Sequence, residues 1–366
     1  MLKRIIILIA ILALLLFLIP AQSAQAIRGT PGSSEFGFGA LVDLHGQSVQ
    51  DGIQLASNLQ LDWVKVEVSW DSLQSAKGGK IDWSSIETAF QSLGHYKLNV
   101  MASITRPPFW SLSSNGPDST LTLQFIQQLL QKYGSSISAI ELFPAANTRK
   151  GWGADPDPKS YMAMWKAVSH GLSTAKSSVL LVAGGLVPGK SDNSIGQVDD
   201  LEFLQGMYAA GARDLVQVVS VQLLNLVNAP PASPNQSAPN VLRHYEEIRQ
   251  VMLHNDHQKG MLWITGLDVP DKLDAIGEAA ASLSQKQAVW LAQALNQLRS
   301  QLYIGVAFLD SINPGPRQAS SISLITSTGD LHPAFRVLRD QIAQNAAGAT
   351  YPRPGRAKSE TLVKGQ

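Results

Sequence analysis

The feature that most constrains this chain is a set of eight short apolar, β-branched runs, each followed by a stretch that can form a helix. The runs are Phe36–Val42, Trp63–Ser69, Leu98–Ile104, Ile137–Phe143, Val179–Ala183, Val216–Leu223, Met261–Leu267 and Ile304–Leu309. Amphipathic stretches lie between them, among them Leu121–Tyr133, Ser160–Ser173, Val241–Leu253 and Gln285–Leu298. The runs are nearly continuous hydrophobics, as parallel strands covered on both faces require. Eight strand–helix units of about 35–45 residues close such a sheet into a barrel. The expectation is an α/β chain with a single (β/α)8 TIM barrel over residues 36–344.

The ends read differently. Lys3 and Arg4 precede an apolar run from Ile5 to Pro20, and Ala24-Gln25-Ala26 has the small-x-small form that precedes a cleavage site. Residues 1–26 are therefore expected to be a signal peptide or an uncleaved N-terminal anchor, residues 27–35 a linker, and residues 345–366 a disordered tail. Either fate of the leader makes the protein secreted or extracytoplasmic and membrane-anchored, touching the membrane only through that segment. The chain has no cysteine, which excludes disulfides, thiolate metal sites, a cysteine nucleophile and a lipidated cysteine. The net charge is +1 with no basic stripe, which argues against a nucleic-acid partner. Only 16% of residues are charged, a surface better suited to neutral partners than to polyanions.

In a barrel of this kind, function lies at the C-terminal ends of the strands and in the loops that follow. Here those places hold Ser69-Trp70, Arg106-Pro107-Pro108-Phe109-Trp110, the stretch from Pro144 to Trp152, and Asp310-Ser311-Ile312-Asn313-Pro314. In order along the chain, the segments resemble the clan of retaining (β/α)8 glycoside hydrolases that includes cellulases and β-xylosidases. The resemblance rests on Trp63 to Trp70, Gly79-Lys80-Ile81-Asp82-Trp83, Pro107-Pro108-Phe109-Trp110, Glu141-Leu142-Phe143 with Asn147 and Gly151-Trp152, Trp263-Ile264-Thr265, and His332-Pro333-Ala334-Phe335.

The resemblance implies an acid/base glutamate at the end of the fourth strand and a nucleophilic glutamate at the end of the seventh. Those positions hold Ala145 and Gly266. A His and a Tyr that line the sugar site in many members match Gln222 and Leu224. A frequent strand-two arginine is Lys65, and the strand-eight tryptophan matches Phe308 or Leu309. Retaining hydrolysis needs two carboxyls about 5 Å apart, and neither alanine nor glycine offers a titratable oxygen. Catalytic residues are therefore expected to be lost, leaving a pseudoenzyme.

Other carboxylates are poorly placed for the task. Glu141 shares the facing of Ala145 but lies about 13 Å deeper at ~3.3 Å per residue. Glu67 and Lys65 read as a buried, mutually satisfied pair. Asp268 shares the facing of Gly266 and is the one candidate for a relocated mechanism. His45 reads as solvated, and His254, Asp256 and His257 fall at the opposite end of the barrel, so no metal and no cofactor are expected.

The candidate ligand-binding residues are Trp70, Trp110, Phe143, Asn147, Trp152, Gln222, Asp268 and Phe308. Their aromatic rings either stack on a poly- or oligosaccharide or fill the barrel mouth as packing. Three functions stay open: a carbohydrate-binding barrel, a protein-interaction or structural barrel of the cell envelope presenting its proline-rich loop Asn228–Pro239, and a glycosidase using Asp268 or Asp310. Ring faces exposed along one groove would favour the first. A filled mouth with an outer apolar patch would favour the second.

Overall fold

The computed structural model describes residues 27–224, 226, 242–270, 273, 282–313, 315, 323–326 and 328–346. The leader, the proline-rich loop Asn228–Pro239 and the tail beyond residue 346 lie outside the described residues. Among the described residues, no helix is long and apolar enough to cross a membrane.

Eight parallel strands form the closed barrel. They are β1 (Gly37–Leu41), β2 (Trp63–Ser69), β3 (Asn99–Thr105), β4 (Ile137–Leu142), β5 (Leu180–Leu186), β6 (Val218–Leu223), β7 (Met261–Leu267) and β8 (Ile304–Leu309). Each pairs with its sequence neighbours, and β1 closes the ring against β8, with Gly37 opposite Val306 and Ala40 opposite Leu309. The helices that follow the strands are α1 (Val49–Asn58), α2 (Ser84–His95), α3 (Ser119–Tyr133), α4 (Pro158–Thr174), α5 (Asp200–Ala209), α6 (His244–His254), α7 (Leu283–Arg299) and α8 (Ala334–Ala346). The barrel expected from the sequence is the barrel observed.

Local chemistry starts these helices where strands end. Asp118 accepts the Leu121 amide at the head of α3, and Asp157 accepts those of Lys159 and Ser160 just before Pro158 opens α4. Asp199 does the same for α5, and Ser282 with Gln285 forms a capping box on α7.

Two cores result from the closure. Outward-facing strand residues pack against the helices in one continuous shell. Inside the barrel, Trp63, Met101, Ala139, Val182, Val218, Trp263, Val306 and Phe308 form a separate apolar layer toward the N-terminal end.

The stretch 27–35, expected to be a linker, closes that end as a floor. The Trp63 indole donates to the Arg28 carbonyl at 2.8 Å and the Trp263 indole to the Gly29 carbonyl at 2.8 Å. Gly29 has φ +78, and a Cβ there would stand 2.4 Å from Val306 Cγ2, so only glycine fits between the stretch and the barrel.

Candidate functional site

Above the apolar layer the barrel interior turns polar. Period-two alternation carries Lys65 of β2, Ser103 of β3, Glu141 of β4, Ser220 of β6 and Thr265 of β7 to the inside, all buried. Glu141 is completely enclosed. Its carboxylate accepts from Ser103 Oγ at 2.6 Å and Ser220 Oγ at 3.0 Å, and Lys65 Nζ stands 3.3 Å away. Lys65 also donates to the Thr265 carbonyl at 2.7 Å. The partner expected for Lys65 was Glu67; the pair forms instead with Glu141, because a lysine stem spans from β2 across the interior to β4. This carboxylate is spoken for on both oxygens.

The ends of β4 and β7 lie beyond this layer. The chain leaves β4 through Phe143 at φ 48 and Ala145 at φ 63, two left-handed residues separated by Pro144. This kink turns the Ala145 amide onto the Gly185 carbonyl at 2.8 Å, stitching the end of β4 to the end of β5. Tyr161 of α4 secures the same junction: its hydroxyl donates to the Leu142 carbonyl at 3.1 Å and accepts the Gly184 amide at 2.8 Å. Burial raises its phenol well above the ordinary value. Tyr161 was not singled out in the sequence, because an aromatic at a buried helix position reads as core. At β7, a Cβ on Gly266 would meet Leu224 Cδ2 at 3.0 Å. The end of a leucine side chain thus occupies the space that a side chain at residue 266 would enter.

The expected ligand-binding residues divide by burial. Trp70, Phe143, Trp152 and Phe308 are fully buried, as is Asn147, and Asp268 is nearly so. Trp70 stacks on Phe125 at 4.8 Å, meets Trp110 edge-on at 5.6 Å and donates to Gln74. Trp152 packs between Phe143 at 5.9 Å and Tyr161 at 5.6 Å. Phe308 belongs to the apolar layer, against Trp263. These four rings are buried among other side chains, which matches the packing alternative of the two given for them.

Asn147 is likewise a staple. Its amide donates to the Val187 and Val198 carbonyls, both at 2.9 Å, and accepts from the Val187 amide. Asp268 follows the last residue of β7 and accepts the adjacent Val269 amide at 2.8 Å. Gln222 is half-buried and donates to the Gly185 carbonyl at 2.8 Å. Trp110 is also half-buried, with its indole on the Gln74 carbonyl at 3.2 Å.

Among the described residues, one rim ring is open, and it is not among those expected. Phe109, in the turn after β3, is 91% exposed. Pro107 and Pro108 precede it, and Arg106 beside them pairs with Asp71 at 2.9 Å, tying the β2 and β3 loops together. Among the described residues, no cluster of three His, Asp or Glu side chains is arranged to hold a metal ion.

The fold is a closed (β/α)8 barrel. No protein-family model matches the chain, and no curated protein does. Solved structures do. A monomeric β-xylosidase from Caulobacter crescentus CB15 superposes with a TM-score of 0.60 at 14% identity, over 84% of this chain and 68% of that one. The GH39 enzyme from Xanthomonas axonopodis pv. citri gives 0.61 at 13% identity, over 89% and 72%. The GH1 β-glucosidase from Exiguobacterium antarcticum B7 gives 0.58 at 11% identity, over 86% and 98%. At these identities the likeness is one of fold.

Proposed function

We propose that this chain is a glycoside-hydrolase-like barrel without retaining hydrolase activity, acting outside the cytoplasmic membrane as a carbohydrate-binding protein. The observation that carries the first half is the pair of strand ends. β4 runs into Pro144-Ala145-Ala146 and β7 ends in Thr265-Gly266-Leu267, so neither supplies the carboxyl that the two-step displacement requires. Glu141 does not replace them, since it is enclosed and bonded to Ser103, Ser220 and Lys65.

Binding is assigned to the rim around Phe109 and Trp110, because the other candidate rings are enclosed. An exposed planar ring with a fixed backbone suits the apolar face of a sugar. Burial of the Trp70, Phe143 and Trp152 rings also favours a second reading, a protein-interaction barrel of the cell envelope in which Phe109 anchors a partner. A glycosidase using Asp268 is the third.

The test is retention of the protein, from Ile27 to Gln366, on immobilised plant, fungal and bacterial polysaccharides, with released sugar measured in parallel. Retention without release, weakened about tenfold or more by Phe109→Ala, is the expected result. Released reducing sugar would overturn the inactive reading and direct attention to Asp268→Asn. Neither retention nor release would leave the protein-partner reading.

A further inference from the structure

The opposite end of the barrel carries a cleft of about 810 Å³. It is formed by the turns that feed β6, β7 and β8, together with Arg249 of α6 and the docked stretch at Pro31 and Gly32. This volume falls in the range of small-molecule sites, roughly 300–1,000 Å³.

Arg249 is the unusual group in it. Its guanidinium lies over the Tyr303 ring at 4.9 Å and donates to the carbonyls of Gly260 at 3.0 Å and Gln258 at 2.9 Å. Among the described residues, no carboxylate lies within ion-pair distance of it. Burial holds the guanidinium below its usual value, the sign of a desolvated cation. Five N–H donors in a rigid fork leave further donors once two carbonyls are served. Lys259 lines the same cleft and is exposed. Arg213 is neutralised by Asp214 at 3.0 Å, and Asp256 is the opposing charge. Leu215, Met261 and Leu302 give the cleft an apolar side.

We propose that this cleft binds a phosphate monoester carried on an apolar body. The phosphate sits on Arg249 and Lys259, and the carbon portion lies along Leu215, Leu302 and Tyr303. A doubly charged group matches two cations lining one cleft better than a carboxylate does. The same chemistry comes from a soluble organic phosphate or from the phosphate monoester headgroup of phosphatidic acid. A membrane anchor preceding Ile27 would hold this end toward a bilayer, because the stretch 27–35 is docked there.

The experiment is calorimetric titration of the protein with phenyl phosphate, inorganic phosphate and phenol, alongside co-sedimentation with phosphatidic acid and phosphatidylcholine vesicles. Phenyl phosphate is expected to bind at least about tenfold tighter than inorganic phosphate, and Lys259→Glu to weaken it by a similar factor. Lys259 is exposed, so that variant keeps the fold; Arg249→Lys, which keeps the charge and loses the fork, should weaken binding as well. Capture by phosphatidic acid vesicles alone, lost in Lys259→Glu, supports the proposal with a lipid source. Binding of neither source, equal binding of phenol, or affinity unchanged in Lys259→Glu would overturn it.

Discussion

Glu141 is a carboxylate committed to the barrel's own interior. It is enclosed, accepts from two serines and faces Lys65. Burying such a pair gains little over a well-packed apolar pair, but removing one partner leaves the other charge stranded. Lys65→Met is therefore expected to destabilise the protein by about 3–5 kcal/mol, and Lys65→Met with Glu141→Leu by much less than the sum of the single changes. Urea midpoints at an unchanged slope measure this; additive losses would show that the two residues are not coupled. The sequence marked Glu141 and Lys65 as interior residues correctly, since alternation along a strand assigns facing. It could not assign their partner, because stagger between barrel strands decides which side chains meet. Which of the rim tryptophans would be enclosed was equally hidden. Trp152 is enclosed by Phe143 and Tyr161, an aromatic meeting that exists only after α4 folds back on β4.

At the scale of elements, strand positions were legible because the strands are covered on both faces, so each reads as a largely apolar run. β2, β7 and β8 begin and end where the runs do. β5 extends to Leu186 rather than Ala183, because Gly184 and Gly185 break the apolar run while their positive φ values carry the chain onward. The way helices are tied to one another left no pattern to read. His244 at the start of α6 is buried, with Nε2 2.5 Å from Asp200 at the start of α5 and Nδ1 3.0 Å from Glu247. Burial opposes its charge, but the two carboxylates outweigh burial and raise its pKa above 6.5. A raised folded-state value means the imidazolium contributes stability fully below pH 6.5, and loses it as pH rises through the folded value. The melting temperature of the unmodified protein should exceed that of His244→Asn most at the acidic side of this window, with the gap narrowing as pH rises. A gap that widens with pH would mean the neutral imidazole is the form the fold holds.

For the molecule as a whole, the N-terminal end of the barrel carries structure that the strand–helix pattern does not announce. At the C-terminal end the described rings of Trp70, Phe143 and Trp152 are buried in packing, while the N-terminal end holds a cleft and depends on a segment outside the strand–helix pattern. Residues 27–35 carry no periodicity, and the bonds that hold the two indoles run through the carbonyls of Arg28 and Gly29, which every sequence possesses. That is why the stretch read as a linker. Its role predicts how the molecule behaves without it. A chain begun at Phe36 would leave the Trp63 and Trp263 indoles without acceptors, each worth about 1–3 kcal/mol if it stays unsatisfied, and would uncover the apolar layer beneath them. The expected result is a melting temperature lower by several degrees and tryptophan emission shifted to the red. Gly29→Val should act in the same direction in the intact chain, since its side chain would collide with Val306. Together these two changes separate a structural floor from a passive connector: a connector can be cut or widened without cost, whereas a floor that buries two tryptophans cannot.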